Sequence, residues 1–199
     1  MAIAEDIIEK VQQKELDTKR LRERWNSDYD LWTLQPYTGA GAGYRAYTSN
    51  EPRTNAKKAI GMLAGAAMTV RVPQGNDGRD SRDDDNAKER FLLGNFKAND
   101  ERLVRAGVSG TLRQAMAWSL VIRGTTCGRS QIIRRNGTGR ALAEAVPWDP
   151  MDCFWEYGPE GLAWICHRGS ILRARLPSDW GLSSNDSSDE PVTFWDYYD

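Results

Sequence analysis

The sequence predicts an α+β fold, with N-terminal helices packed on a mostly antiparallel or mixed sheet built from the second half of the chain. Three observations lead there. Apolar residues recur at helical intervals from Ile3 as far as Met116. Gly124 stands where the helical patterning ends. Beyond it, short β-branched and aromatic runs alternate with Gly, Pro and Asn turns.

From Ile3 to Trp32 the pattern is helical, because Ile3, Ile7 and Val11, then Leu21 and Trp25, sit four apart among charged residues. Glu5, Asp6 and Glu9 suit the amino end of such a helix electrostatically. Tyr37 to Asn55 breaks every periodicity, with Gly39, Gly41 and Gly43 alternating and Pro36 and Pro52 as punctuation. Asn55 to Met68 is apolar on most sides, which predicts a buried helix. It leads into a short strand, Thr69 to Val72, stopped by Pro73. Two further helices are expected at about Asp85 to Phe96 and Asp100 to Ile122, the second bending at Gly107 and Gly110. Its apolar stripe is Val104, Val108, Leu112 and Met116. Arg102 and Arg113 lie roughly opposite, facing solvent or a partner, and are the candidate subunit-interface residues.

The remainder reads as strands. Thr126 to Arg134 and Arg140 to Trp148 flank the turn Asn136-Gly-Thr-Gly139. Asp149, Pro150 and Met151 form a corner. Phe154 to Tyr157 and Leu162 to Arg168 are joined by Gly158-Pro-Glu-Gly161, good turn chemistry. Ile171 to Leu176 is a separate strand, Pro177 to Pro191 an exposed polar loop, and Val192 to Tyr198 a last strand with aromatic residues on both faces. The expected organisation is a helical arm with a Gly-rich loop over 1–50 and an α+β body over 51–199.

At 199 residues, 40% hydrophobic and 28% charged, the chain can bury one core or a core with an appendage. Its net charge of -1 gives no global pull toward nucleic acid or membrane, but the charge is unevenly placed. Lys88 to Arg140 carries 11 Lys/Arg and 3 Asp/Glu, whereas Ala141 to Asp199 carries 3 and 11. Two readings stay open: two solvated faces of one domain, or a basic face of one copy meeting an acidic face of the next. The longest apolar stretch, Ala59 to Val70, is too short to span a bilayer, and the start lacks the pattern of a secretory signal.

No segment is arranged for chemistry, so no catalytic, cofactor-binding or metal-ligating residue is assigned. Cys127, Cys153 and Cys166 have no short spacing and read as reduced core thiols. Gly41-Ala-Gly-Tyr-Arg-Ala46 matches a loose dinucleotide fingerprint but has no strand before it. The cluster Asp77, Asp80, Asp83, Asp84 and Asp85 lacks the offsets of a calcium loop, and Asp84 or Asp85 as an N-cap explains it. The only histidine, His167, would point to the opposite strand face from Cys166. Eight tryptophans are read as core and interface packing, since Trp148, Trp155, Trp164 and Trp195 fall in the acidic half where phosphate is repelled. A carboxylate-dependent α+β enzyme domain, and a nucleic-acid-binding module using the basic 88–140 segment, stand as alternatives to a structural role.

Four segments occur in a fixed order: Thr48-Ser-Asn-Glu-Pro-Arg53, Ala117-Trp-Ser-Leu-Val-Ile-Arg-Gly124, Val146-Pro-Trp-Asp-Pro150 and Val192-Thr-Phe-Trp-Asp-Tyr-Tyr-Asp199. Together they resemble the N-terminal part of the portal proteins of tailed bacteriophages, the ring through which DNA enters and leaves the capsid. The resemblance runs from about Trp25 to Asp199, and order and spacing carry it. It implies a non-enzymatic wing portion of a ring, usually a dodecamer, at the capsid vertex of the virion, made in the host cytoplasm. It implies further copies of the same chain, the major capsid protein and a head-tail adaptor as partners, with double-stranded DNA passing through and no membrane partner. The packaging terminase would dock through a clip, and a stem helix would line the channel. The chain ends before both, which leaves a truncated product, an ordered fragment or a remnant gene as readings.

Overall fold

The computed structural model describes residues 2–36, 48–67, 69–71, 82–107, 110–134, 141–175 and 190–199. It has the α+β organisation expected, with five helices preceding five strands among these residues. They are α1 (Ala2–Asp17), α2 (Lys19–Thr33), α3 (Glu51–Gly65), α4 (Arg82–Arg105) and α5 (Leu112–Arg123), then β1 (Cys127–Arg134), β2 (Ala141–Trp148), β3 (Cys153–Gly158), β4 (Gly161–Leu172) and β5 (Pro191–Tyr198). β1 and β2 make a two-stranded sheet, and β3-β4-β5 a three-stranded one, both antiparallel.

The chain divides into two compact units, 1–26 with 148–199, and 27–147, the first boundary falling inside α2. In the first unit α1 lies on β3. Val11, from the expected four-residue stripe, is buried with Phe154, Trp164 and Cys166, and Ile7 and Tyr197 pack around them. The single expected helix over residues 3–32 is two, separated at Thr18. The backbone bonds Thr18 N to Lys14 O and Arg22 N to Thr18 O persist at 3.0 Å. The Thr18 hydroxyl also donates to Lys14 O, the kind of back-bonding that bends helices.

α2 delivers the most consequential side chain of this unit. Arg22, 9% exposed, donates from Nη1 to Met151 O and from Nη2 to Cys153 O at 2.8 Å. Its guanidinium also lies 4.3 Å from the centre of the Phe154 ring. These carbonyls belong to the corner entering β3, so one planar fork ties a helix to a sheet strand about 130 residues away.

β4 runs unbroken through Gly161–Leu172, where two strands are expected. Gly169 does not end it. It pairs with Phe194 of β5, whose ring occupies the space a Cβ would need. Aromatic residues do lie on both faces of β5: Trp195 and Tyr197 approach Phe154 and Trp164, while Phe194 and Tyr198 approach His167 and Trp148.

In the second unit four expectations are corrected. α4 is continuous across residues 97–99, because the Asn99 side chain pairs with the backbone of Ala145 instead of competing for its own. Since α4 begins at Arg82, Asp84 and Asp85 are inside it and neither is an N-cap. α3 has no buried residue, and Met62 is 71% exposed, so its apolar sides are not a core. It does start early, at Glu51, with Pro52 in the first turn where a missing N–H costs nothing. The bend expected near Gly107 and Gly110 is a full break, with φ of 80° and 103°. Thr111 then opens α5 with a reciprocal capping box to Gln114.

Residues 69–71 carry no strand, and Val72 lies outside the described residues. So do most of the Gly-rich segment, the fingerprint at 41–46, Asp77 and Asp80, the turn at 136–139 and the loop from 177 to 189.

The Arg22 fork should be among the most sensitive points of the fold. Arg22→Met removes both of these hydrogen bonds and the cation over Phe154, and is expected to destabilise the protein by about 2–4 kcal/mol. Urea unfolding followed by tryptophan fluorescence measures it. A loss below about 0.5 kcal/mol, the size of an ordinary surface change, would mean the fork is dispensable.

Candidate functional site

Arg102 and Arg113, the two expected interface residues, are both engaged inside the second unit. Arg113 donates to the carbonyls of Ala64 and, at 2.7 Å, Ala66. These are orphan acceptors at the carboxyl end of α3, where a cation also suits the helix dipole. Arg102 pairs with Glu144 of β2 and donates to Asn99 Oδ1 at 2.9 Å. Their placement opposite the apolar stripe aims them at neighbouring elements of the same chain. Charge reversal at either position therefore perturbs the fold before it can report on a partner.

Around Arg102 lies a polar network that sequence reasoning missed. Asn99, 4% exposed, gives Nδ2 to Ala145 O at 2.9 Å and accepts from Ala145 N at 3.0 Å on Oδ1. Its amide thus acts as one residue of a strand paired to β2. The Glu144 side chain, 11% exposed, also accepts from Gln131 at 3.0 Å and sits 3.6 Å from Arg129. The signal was present only as alternation: Arg129 and Gln131 stand two residues apart on β1, hence on one face, and Glu144 is on β2, the strand whose pairing with β1 the turn composition did indicate.

Beside this network is a cleft of about 340 Å³ between α4 and the β1–β2 sheet. Leu92, Phe96, Ile132 and Ala143 make its apolar walls, and Asn95 and Gln131 supply polar groups. Ile132 is 78% exposed and Phe91, on the preceding turn of α4, is 69% exposed. Nothing in the cleft resembles a nucleophile with its base. Among the described residues no group of three or more His, Cys, Asp or Glu is placed to hold a metal.

His167 and Cys166 stand on opposite faces of β4, as strand alternation requires. The His167 ring stacks on Trp148 with centroids 4.5 Å apart and planes 3° from parallel, and Phe194 meets it edge-on. Cys166 is fully buried against Val11 and Phe154, and burial pushes its thiol up to about 11, helped by Asp196. A thiol held neutral in this way is a packing group. Trp25, Trp148 and Trp164 are buried and Trp155 stacks on Trp25, so these indoles are core, while Trp180 lies outside the described residues.

The charge asymmetry of the sequence follows the two units. The first carries 9 Lys/Arg against 16 Asp/Glu, net -7, and the second 18 against 12, net +6. No helix among the described residues is long and apolar enough to cross a membrane. No protein-family model matches the sequence, and a search of curated proteins finds no match.

The raised thiol gives a pH signature. Cys166 keeps its proton in the folded state up to about 11 but releases it near 9 when unfolded, so the folded chain binds more protons between those values. Stability should fall across that window by up to about 1.4 kcal/mol per pH unit. Melting temperatures of the wild type and Cys166→Ala, compared from pH 8 to 11, check this. The variant should show the shallower decline, and parallel curves would remove the thiol as its cause.

Proposed function

We propose that this chain is a wing portion of a bacteriophage portal, a structural and non-enzymatic subunit of a ring at the capsid vertex. In that role it supports DNA packaging, DNA ejection and head–tail joining. The observation that carries the reading is that three of the four portal-like segments include the end of an element, while the fourth is the last strand, β5. Thr48 to Arg53 leads into α3 at Glu51. Ala117 to Gly124 is the second half of α5 and its cap, with Gly124 left-handed at φ 71°. Val146 to Pro150 turns from β2 into the 3-10 corner before β3, where the Asp149 side chain caps Met151 N.

The opposite net charges of the two units add support. A heterologous contact repeated around an axis needs two different, complementary surfaces on each subunit. The other partners in this reading are the major capsid protein, the head–tail adaptor and, through regions beyond this chain, the packaging terminase. The virion is the corresponding location.

Negative-stain imaging of the complete gene product should show ring-shaped particles with a central hole. Two-fold dimers persisting at all salt concentrations would sink the proposal.

A second measurement addresses DNA. The +6 of the second unit is offset by the -7 of the first, so duplex binding should be weak. Retention on duplex DNA at low ionic strength is expected to vanish by about 0.15 M salt, where the screening length is about 8 Å. Tight binding that survives those conditions would favour a nucleic-acid-binding module instead.

A further inference from the structure

His167 is the only histidine of the chain, and imidazole is the side chain whose charge ordinarily changes between about pH 5 and 8. Its surroundings in the first unit favour the charged form. On one side the ring lies flat on Trp148, with centroids 4.5 Å apart and planes 3° from parallel. Trp148 is 7% exposed, so this contact is shielded from water. The face of an indole is the negative end of its quadrupole, and indole attracts a cation more strongly than the other aromatic rings do. Phe194 meets the imidazole edge-on and brings no charge.

The second favourable group is Asp196. It is the direct cross-strand partner of His167 on β5, so the two side chains project from the same face of the sheet. The charge of this carboxylate reaches even Cys166, on the other face of β4, where it helps to raise the thiol. β3 and β5 also bring Cys153 and Tyr198 to the His167 side, and neither is a cation. Asp149, next to Trp148, turns its carboxylate to Met151 N at 2.9 Å. The adjacent base, Arg168, projects from the opposite face, where Glu15 and Asp152 lie 3.4 and 4.0 Å from it and offset its charge. A proton on His167 therefore gains an aromatic face and a carboxylate. Burial opposes it only in part, because the residue is half-buried.

We propose that His167, Trp148 and Asp196 form an acid-strengthened clasp, in which protonation of the imidazole tightens the hold of β4 on Trp148, the residue leading into the corner before β3. The folded chain then holds this proton more firmly than the unfolded chain does. The added stability is complete below the pH at which the unfolded histidine titrates, and it is lost as pH rises through the folded titration. The clasp lies within one unit of one copy, so it stands whether or not the chain belongs to a ring.

The single histidine makes the test direct. In tag-free protein labelled only at histidine, NMR follows one imidazole from about pH 8.5 to about pH 5.5, once folded and once in concentrated urea. The midpoint is expected to be higher in the folded protein, and Asp196→Asn should bring it down. Over the same fall in pH, the melting temperature of the wild type relative to His167→Gln should rise by about 2–4 °C. Trp148→Phe keeps a ring but a weaker face for a cation, and should show a smaller rise. A folded midpoint at or below the one in urea would overturn the clasp. So would a His167→Gln protein whose melting runs parallel to the wild type across the range. The wild-type titration needs no variant, so it decides the matter even where a substitution prevents folding.

Discussion

The first unit depends on a single cation brought from α2 to the entrance of β3. The corner at Pro150–Asp152 turns backbone carbonyls inward, and a carbonyl facing a protein interior without a donor is costly. Arg22 answers two of them with one rigid fork and covers Phe154 with the same guanidinium. Burial lowers its pKa, with Glu15 opposing that effect, yet an arginine stays charged far beyond physiological pH. A lysine would bring a point charge where a planar pair of donors is needed. Val11, Phe154, Trp164 and Cys166 can close over one another because this corner is held.

The second unit repeats the device with different partners. Arg113 satisfies the carboxyl end of α3, Arg102 and Arg129 neutralise Glu144, and Asn99 pairs with β2 as though it were another strand. Arg113 and Asn99 complete backbone hydrogen bonding that a regular element leaves open, while Arg102 and Arg129 balance a half-buried carboxylate. Part of the basic surplus is therefore structural, and its value as a docking surface is smaller than a count of arginines suggests.

What remains on the surface is more telling. Phe91, Ile132, Tyr157 and Leu162 are large, apolar and exposed; Ile132 lines the cleft beside α4, and Tyr157 and Leu162 are cross-strand partners at the β3–β4 tip. Neither the cleft nor the buried thiol and stacked histidine of β4 has the geometry of a reacting centre.

The sequence by itself determined the α+β order, the Val11 stripe, the capped end of α5 at Gly124, the turn at Gly158–Gly161 and the aromatic faces of β5. Each of these depends on neighbours within a few residues, through helical spacing, strand alternation or turn conformation. Tertiary structure alone decided that α4 runs through Asn99, that β4 runs through Gly169, and that α3 stays exposed. An asparagine reads locally as a breaker until a strand 46 residues away accepts its amide. A glycine reads as a strand end until a facing phenylalanine needs the space. The same holds for Arg102 and Arg113: helical spacing gave their direction, but what lies in that direction is fixed only when distant segments meet.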